Sequence, residues 1–159
     1  MPTIRMARTD EIPALRELRN RAAWAGCATC YSHEQLSLWL AGPLPDRFAG
    51  LVADGTAFVA QGGDTLLGYG ALNVGTNEVE AVFVDPTATG RGLGGLLLRK
   101  LEDVAGTNAL DHLKLSSSLN AVPFYSAAGY KEVRREDYEL ASGIALASVL
   151  MYKQLRSAV

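Results

Sequence analysis

Apolar and polar positions follow a helical period near the start of the chain. A short run at Thr3–Ala7 predicts a strand, and Thr9 and Asp10 after it are typical helix N-caps. Apolar side chains then recur every three or four residues from Ile12 to Ala22, with polar side chains between them. This spacing places the apolar residues on one face, so it predicts an amphipathic helix.

A second helix and a series of strands are predicted next. The segment Ser32–Gln35 fits a capping box, and Gly42-Pro43 predicts the end of that helix. The period then changes to short runs rich in β-branched and aromatic residues, separated by Gly, Asn and Asp. These runs are Ala57–Gln61, Leu66–Asn73 and Asn77–Val84. The breaks between them are of hairpin length, so an antiparallel meander is expected.

The second half of the sequence alternates helices with strands. Leu93, Leu97, Leu101 and Ala105 share one face of a helix that is expected to end at Gly106. The remaining elements are a strand at Leu113–Ser117, a short helix at Ala121–Ala128, and strands at Glu132–Leu140 and Ala145–Leu155. The resulting order, β-α-α-β-β-β-α-β-α-β-β, predicts an α+β fold in which hairpin-paired strands come first and a helical crossover follows.

Length and composition restrict the classes of function. The 159 residues fit a single domain over residues 1–159, and 48% apolar with 20% charged residues is typical of soluble globular proteins. Fifteen Lys and Arg against seventeen Asp and Glu give a net charge of −2 without a basic stripe, so nucleic-acid binding is not expected. The sequence contains no membrane-spanning run, and charged residues stand where a secretory signal needs an apolar stretch. We therefore expect a cytoplasmic protein that is not bound to a membrane.

Cys27, Cys30 and His33 have the spacing of half a metal site. A structural zinc ion needs four ligands, and the only other histidine is His112, on a distant predicted strand. We therefore expect no metal site. The two cysteines are interpreted as small apolar residues of the segment between the first two helices.

A glycine-rich segment lies between a predicted strand and a predicted helix. Gly90, Gly92, Gly94 and Gly95 fall within six residues, with the helix expected to begin at about Gly92. Glycines allow the backbone to come close to a ligand, and the free N–H groups of a first helical turn attract anions. This arrangement predicts a phosphate or pyrophosphate lying across Gly90–Gly95.

Other interpretations of this loop require different sequence features. A P-loop is excluded because no Gly-Lys-Ser/Thr follows at the required spacing. A literal G-x-G-x-x-G exists at Gly90, Gly92 and Gly95, but the dinucleotide fold requires a parallel βαβαβ half with the loop near its start. A turn that only packs a helix against a strand is a further interpretation, at a cost of up to ~1 kcal/mol per helical glycine.

Two sequence blocks resemble the GNAT (general N-acetyltransferase) superfamily. The segment Thr89–Gly94 is similar to its acetyl-CoA signature, Gln/Arg-x-x-Gly-x-Gly/Ala, although Thr89 stands where Gln or Arg is usual and Arg91 offers the positive charge instead. The segment Ser118–Tyr130 is similar to the family's S-x-N-A-x-x-F-Y-x-x-x-G-F/Y block. The two blocks lie about 30 residues apart in the family's order, which makes the resemblance more specific than either motif alone.

The resemblance implies a fold and an activity. The expected fold is a GNAT fold of the three-layer α/β type, with a mixed, largely antiparallel seven-stranded sheet flanked by about four helices. The expected activity is transfer of an acetyl group from acetyl-CoA to a primary amine by direct transfer in a ternary complex, and a homodimer is possible in this family. The alternatives are a non-catalytic acyl-CoA-binding or regulatory module on the same fold, and a nucleotide- or phosphate-binding protein that only imitates the loop.

The resemblance also implies catalytic residues. Tyr125 would protonate the leaving thiolate, unless it is a packing tyrosine. Glu78 and Glu80 are two residues apart on one predicted strand and therefore point to one face. Either glutamate would be the base that removes the amine proton, and together they would favour a cationic amine, unless they only decorate a solvent-exposed face.

The implied cofactor site combines strand backbone, loop and helix residues. The backbone of Val82 and Val84 would pair with the pantetheine amides, and Asn120 would bind the pantetheine arm unless it is a plain helix cap. The whole set is Val82, Phe83, Val84, Thr89, Gly90, Arg91, Gly92, Leu93, Gly94, Gly95, Asn120 and Tyr125.

The acceptor is left open by the sequence, as a small-molecule or peptide amine. Candidates are a polyamine, an amino acid, an antibiotic, a peptide N-terminus or a protein lysine. Trp24, Tyr31, Trp39 and Phe83 are aromatic candidates for its pocket or for core packing. The slightly acidic balance of the chain argues weakly against an anionic acceptor.

Overall fold

The computed structural model describes residues 2–140 and 143–156. Within these ranges it has seven strands and five α-helices. The strands are β1 (Thr3–Met6), β2 (Ala57–Gly62), β3 (Thr65–Asn73), β4 (Glu78–Val84), β5 (His112–Ser118), β6 (Lys131–Glu139) and β7 (Ala145–Gln154). The helices are α1 (Ile12–Cys27), α2 (His33–Ala41), α3 (Arg47–Ala53), α4 (Leu93–Thr107) and α5 (Val122–Ala127).

All seven strands form one sheet in the order β1-β2-β3-β4-β5-β7-β6. Every neighbouring pair is antiparallel except β4 and β5, which are parallel. The predicted α+β class and the mixed seven-stranded sheet are confirmed. The helix count differs, because the described residues hold five α-helices where about four were expected. The additional helix is α3, which has only seven residues and is too short to show a clear period in the sequence.

Two predicted boundaries are corrected near the N-terminus. Thr9 and Asp10 lie inside a single 3₁₀ turn, Thr9–Glu11, rather than capping the helix. The Glu11 carboxylate takes the capping role there, since it accepts the backbone N–H of Arg8 at 2.9 Å. The helix α1 also continues past Ala22 to Cys27, so this buried cysteine is helical, whereas Cys30 lies exposed in the following loop.

Helices cover both faces of the sheet and bury a core on each. On one face, α4 buries Leu97 and Leu101 against strand residues such as Leu113. On the other face, α1 and α3 bury a second cluster that includes Leu18 and Phe48. Burial of each large apolar side chain contributes ~1.5–3 kcal/mol, so the two clusters hold the three layers together. None of the helices in the described ranges is long and apolar enough to cross a membrane.

The parallel strands β4 and β5 are paired only at their beginning, where Glu78 lies opposite Lys114. Asn77 closes this end with two hydrogen bonds. Its carbonyl accepts the backbone N–H of Lys114 at 2.9 Å, and its side-chain amide donates to the carbonyl of His112 at 3.1 Å. Asn77 has φ of +58°, a left-handed conformation that asparagine tolerates better than most residues. Beyond this point β5 pairs with β7, and a split separates β4 from β5.

The closed end of the split predicts how Asn77 variants behave. Asn77→Ala should lower the free energy of unfolding by about 2 kcal/mol, because it adds left-handed strain and removes the bond to His112. Asn77→Gly removes the same bond but tolerates the positive φ, so it should cost about 1 kcal/mol less. Urea denaturation of the three proteins measures both effects. Equal losses in the two variants would show that backbone conformation at residue 77 contributes nothing.

Candidate functional site

The split between β4 and β5 exposes backbone groups of β4. The backbone N–H of Asp85 donates to the carbonyl of Leu67 on β3 at 2.7 Å. Backbone groups alternate sides along a strand, so the N–H and C=O groups of Val84 and Val82 point away from β3, toward β5. No ladder pair joins β5 to Val82 or Val84. These backbone groups, predicted as cofactor contacts, are therefore free to pair with an extended ligand.

A cavity of about 520 Å³ opens from this split on the face covered by α1 and α3. Its walls come from α1, α2 and α3, the loops that join these helices, strands β3 to β7, and α5 with the turn before it. The lining includes Arg19, Tyr31, Trp39, Arg47, Phe48, Tyr69, Glu78, Glu80, Val82, Phe83, Ser116, Tyr125 and Tyr138. The cavity therefore joins the predicted catalytic residues in one space.

Both glutamates face this cavity, and a β-bulge contributes to their placement. Ala71 lies opposite Ala81 and Leu72 lies opposite Val79, so Glu80 is the extra residue of the bulge. Glu80 is mostly buried and forms an ion pair with Arg47 of α3. The hydrogen bond that the Arg47 guanidinium donates to the Glu80 carboxylate raises the pKa of Arg47. Glu78, in contrast, has no ion-pair partner among the described residues.

The glycine loop forms an open cradle at the start of α4. Gly92 precedes the helix with φ of +75° and Gly90 has φ of +81°, conformations that favour glycine. A Cβ atom at Gly90, Gly92 or Gly95 would meet nothing within 4 Å, so no described protein group fills the space above these residues. Gly94 differs, because its Cβ would lie 3.1 Å from the ring of Phe124. Gly94 thus allows α4 to pack on α5, while the other three leave room for a ligand.

The side chains of the glycine loop differ in whether they are available to a bound anion. The hydroxyl of Thr89, at the position where the family usually has Gln or Arg, donates to the carbonyl of Pro86 at 3.2 Å. Arg91 is exposed, so its positive charge is available to a ligand. Leu93 is buried beneath the first turn of α4 and supports the loop from below.

Asp85 anchors the glycine loop to α1. Its carboxylate accepts the Thr87 backbone N–H at 3.0 Å, the Thr87 hydroxyl at 2.8 Å and the Arg21 guanidinium at 2.7 Å. Burial acts to raise the pKa of Asp85, but these hydrogen bonds and the Arg21 charge outweigh it and lower the pKa. The carboxylate therefore stays ionised and holds the loop in place.

Tyr125 lies where the cavity meets the split. Its ring packs edge-on against Phe124 and Tyr130, with centroid separations of 5.0 and 5.9 Å. Its hydroxyl has no hydrogen-bond partner among the described residues. Every polar side-chain atom of those residues that is fully enclosed does have a partner. The hydroxyl must therefore be open to the cavity. Burial raises the pKa of Tyr125, which keeps the phenol protonated at neutral pH.

Asn120 lies apart from the cavity lining. It is exposed, and its side-chain nitrogen would be 3.2 Å from a Cβ on Gly26 near the end of α1. The residues that cap the neighbouring helical turns are Ser118 and Ala121, so Asn120 is not a helix cap. Its contact with a pantetheine arm stays a prediction.

Three of the four aromatic candidates line the cavity, namely Tyr31, Trp39 and Phe83. Tyr31 also joins distant segments, because its hydroxyl donates to the carbonyl of Ala147 at 2.5 Å and accepts the N–H of Leu119 at 3.0 Å. The prediction for Trp24 was wrong. This side chain is 37% exposed and tilts against His33 outside the cavity, because it lies on the outward face of α1.

Sequence reasoning missed Arg19, Arg47 and Tyr69. Arg19 is four residues after Leu15 and three before Ala22, so it lies on the apolar face of α1, and a charge at such a position is a signal that could have found it. Tyr69 lies within a predicted strand and fitted an ordinary structural role. Arg47 belongs to the short helix that was not predicted. Nothing local in the sequence shows that the loop between α2 and α3 folds over these side chains. Within the described ranges, no group of three or more His, Cys, Asp or Glu residues is placed to hold a metal ion.

Comparison with known protein families and structures gives a consistent result. A model of the acetyltransferase (GNAT) domain family matches residues 27–148. A GCN5-related N-acetyltransferase from Rhodopseudomonas palustris superposes with a TM-score of 0.82 and 23% identity, covering 97% of this chain and 96% of that one. PaiA N-acetyltransferase from Thermoplasma acidophilum, in complex with coenzyme A, gives 0.77 and 19%, with coverage of 97% and 99%. At these identities the structural likeness shows the fold.

Two further comparisons extend this result. YncA from Salmonella typhimurium, solved with its cofactor acetyl-CoA, has a TM-score of 0.67 and 23% identity, covering 100% of this chain and 96% of that one. An uncharacterized protein from Mycobacterium leprae is 35% identical in an alignment of 91 positions that covers 53% of this chain. The matched part is 25% of that protein, so the chain spans about a quarter of this curated relative.

The open cradle predicts opposite effects for two glycine substitutions in the same region. Gly92→Ala should destabilise the protein by about 1 kcal/mol through left-handed strain, and weaken coenzyme A binding at least about tenfold by reshaping the loop. Gly106→Ala, in the last turn of α4 with open space for a Cβ, should stabilise by up to about 1 kcal/mol and leave binding unchanged. Calorimetric titration with coenzyme A and thermal unfolding measure both. Unchanged affinity of Gly92→Ala for coenzyme A would show that the glycine loop is not part of the binding site.

Proposed function

We propose that this chain, which belongs to the acetyltransferase (GNAT) domain family, is an acyltransferase that transfers the acetyl group of acetyl-CoA to a primary amine. The observation that carries this proposal is the continuity of the split with the cavity. The free backbone of Val82 lies at the split, while Glu78, Glu80 and Tyr125 line the cavity that opens from it. A thioester held in the split would therefore meet an amine held in the cavity.

The residues of the cofactor side fit coenzyme A. The unfilled space above Gly90 and Gly92, at the positive end of α4, suits a pyrophosphate. The outward backbone groups of Val82 and Val84 suit the amides of a pantetheine arm, paired as an additional strand. Acetyl-CoA, when bound there, would supply an acyl group activated as a thioester.

The glutamates prepare the amine. A protonated amine is not nucleophilic, so a carboxylate at the cavity must accept its proton directly or through water. Glu78 is the better placed of the two, because Glu80 is already paired with Arg47. We assign Glu78 as the base and Glu80 as the residue that holds Arg47 at the wall.

Tyr125 completes the transfer. As the amine nitrogen forms its bond to the acetyl carbon, the carbon–sulfur bond breaks and the thiolate needs a proton. An ordinary phenol, with a pKa of ~10, is a slightly weaker acid than a thiol of ~8.5, and burial raises the pKa of Tyr125 further. The same burial disfavours the thiolate, so the open hydroxyl of Tyr125 donates its proton as the carbon–sulfur bond breaks.

Direct transfer in a ternary complex is favoured over an acyl-enzyme. None of the described residues that line the cavity is a cysteine, and Cys30 is exposed in a loop outside it. A covalent route would require an activated nucleophile beside a base. Initial rates at several concentrations of both substrates should therefore give intersecting rather than parallel lines in double-reciprocal plots.

The role of Tyr125 is tested by turnover of acetyl-CoA against a panel of primary amines, measured as released thiol. Tyr125→Phe should lower kcat about 10²-fold or more, because the leaving thiolate loses its proton donor. Tyr152→Phe, an exposed tyrosine on β7 outside the cavity lining, is the control and should keep wild-type rates. Unchanged turnover in Tyr125→Phe would refute the acid role. Tight coenzyme A binding without turnover would favour the non-catalytic binding module.

The two glutamates are separated by matched amide variants. Glu78→Gln should lower kcat about 10²-fold, because the group that accepts the amine proton is lost, and part of the rate should return at high pH, where the amine is already neutral. Glu80→Gln should keep kcat near the wild-type value and act mainly on KM, because it releases Arg47. Rates of both variants measured across pH decide the assignment. A large loss of kcat in Glu80→Gln, with kcat kept in Glu78→Gln, would exchange the two roles.

A further inference from the structure

The charges that line the acceptor cavity do not all neutralise one another. The charged lining residues are Arg19, Arg47, Glu78 and Glu80. Arg47 and Glu80 form an ion pair. Among the described residues, neither Arg19 nor Glu78 has a partner of opposite charge. The cavity therefore presents one uncompensated cation and one uncompensated carboxylate.

Arg19 is an unusual cation for such a wall because it is only 4% exposed. Its guanidinium donates to the carbonyls of Gly42 at 2.9 Å and Pro43 at 3.4 Å, and to the side chain of Asn20 at 3.1 Å. These neutral acceptors satisfy hydrogen bonds but leave the charge without a counter-ion. Burial correspondingly lowers the pKa of Arg19. Buried charges are ordinarily paired, so a missing anion is indicated.

Tyr69 provides a second, independent observation. Its side chain is 1% exposed, and its hydroxyl has no hydrogen-bond partner among the described residues. Every polar side-chain atom of those residues that is fully enclosed does have a partner. The Tyr69 hydroxyl is therefore not fully enclosed, and it opens into the cavity that Tyr69 lines. The charge of Arg19 acts on the same hydroxyl, although burial is the larger influence on its pKa. An anion bound beside Arg19 would thus meet a free donor.

We propose that the acceptor is a free amino acid with an apolar side chain, a conclusion that rests on the proposed acetyl transfer to an amine. Its carboxylate binds Arg19 and the hydroxyl of Tyr69. Its ammonium group faces Glu78, the assigned base. Its side chain packs on the aromatic walls formed by Trp39, Phe48 and Phe83. A cavity of about 520 Å³ has room for one such molecule.

Arg19 also has a simpler role, as a cation at the end of a helix, which differs from binding a carboxylate. Arg16 and Arg19 both donate to carbonyls at the end of α2, where a cation is favourable to the helix dipole. That role explains the carbonyl contacts of Arg19. It does not explain Tyr69, whose hydroxyl has no hydrogen-bond partner among the described residues and so caps no helix. Tyr69 is therefore the residue that distinguishes a ligand site from a helix cap.

The first experiment compares amino acids with the amines that lack only the carboxylate. The pairs are phenylalanine with phenethylamine, tryptophan with tryptamine, and leucine with isoamylamine, each measured as kcat/KM in the thiol-release assay. At least one amino acid should exceed its amine by about tenfold or more, because hydrogen bonds to charged groups are among the strongest in proteins. Equal or better turnover of every amine would overturn the inference while supporting acetyl transfer itself.

The second experiment assigns the preference to its residues. Tyr69→Phe removes only an oxygen with no protein partner, so the fold should persist, and the acid-to-amine ratio of kcat/KM should fall about tenfold through KM. Arg19→Gln should reduce the same ratio further. Tyr152→Phe, outside the cavity, is the matched control and should leave the ratio unchanged. A wild-type ratio in Tyr69→Phe would contradict the proposed carboxylate contact.

A binding measurement tests the proposed amino-acid site without depending on turnover. Calorimetric titration of the coenzyme A-saturated wild-type protein with phenylalanine, tryptophan or leucine should give heat of binding that the matching amine does not give. Such binding without turnover would support the amino-acid site and refute the proposed transfer. Absence of binding by all three amino acids would overturn the inference, whatever the enzyme does with other amines.

Discussion

The single-point pairing of β4 with β5 is the constraint on which the site depends. Adjacent parallel strands ordinarily satisfy each other's backbone groups along their length, but here the ladder stops after Glu78 and Lys114. Asn77 holds that end closed through its own backbone and side chain. The outward backbone groups of Val82 and Val84 consequently need water or a ligand as partner. A sheet that is locked at one end and open at the other offers an extended binding edge in its interior.

One helix then organises both sides of this opening. On the cofactor side, Arg21 of α1 pairs with Asp85, which fixes the glycine loop through Thr87. On the acceptor side, Arg19 of the same helix holds the loop between α2 and α3 over the cavity. Because α1 packs across β4, a shift of this helix would move the anion cradle and the acceptor wall together. The sites proposed for the two substrates are therefore both held in position by α1.

The sequence predicts best what local patterns determine. The seven strands, the helix after the glycine loop and the shared face of Glu78 and Glu80 follow from periodicity and turn residues. The acceptor cavity does not, since its walls come from segments far apart in sequence. Arg19 lies on the apolar face of α1, where its burial could be expected, but its contacts with the carbonyls of Gly42 and Pro43 join segments far apart in sequence. Trp24 fits a pocket by residue type, yet the turn of α1 that carries it faces outward.

The difference between the charge of the whole chain and the charge of the cavity explains why the sequence alone does not identify an acceptor. A net charge of −2 spread over a solvated surface argues weakly against an anionic ligand, because surface charges more than about 8–10 Å away are screened at physiological salt. Inside a cavity the effective dielectric is lower and a single nearby charge dominates. Arg19, at 4% exposure and without a described counter-ion, therefore outweighs the small acidic excess of the chain. Glu78 supplies the opposite sign in the same cavity, which is the charge pattern that the proposed amino-acid acceptor would match.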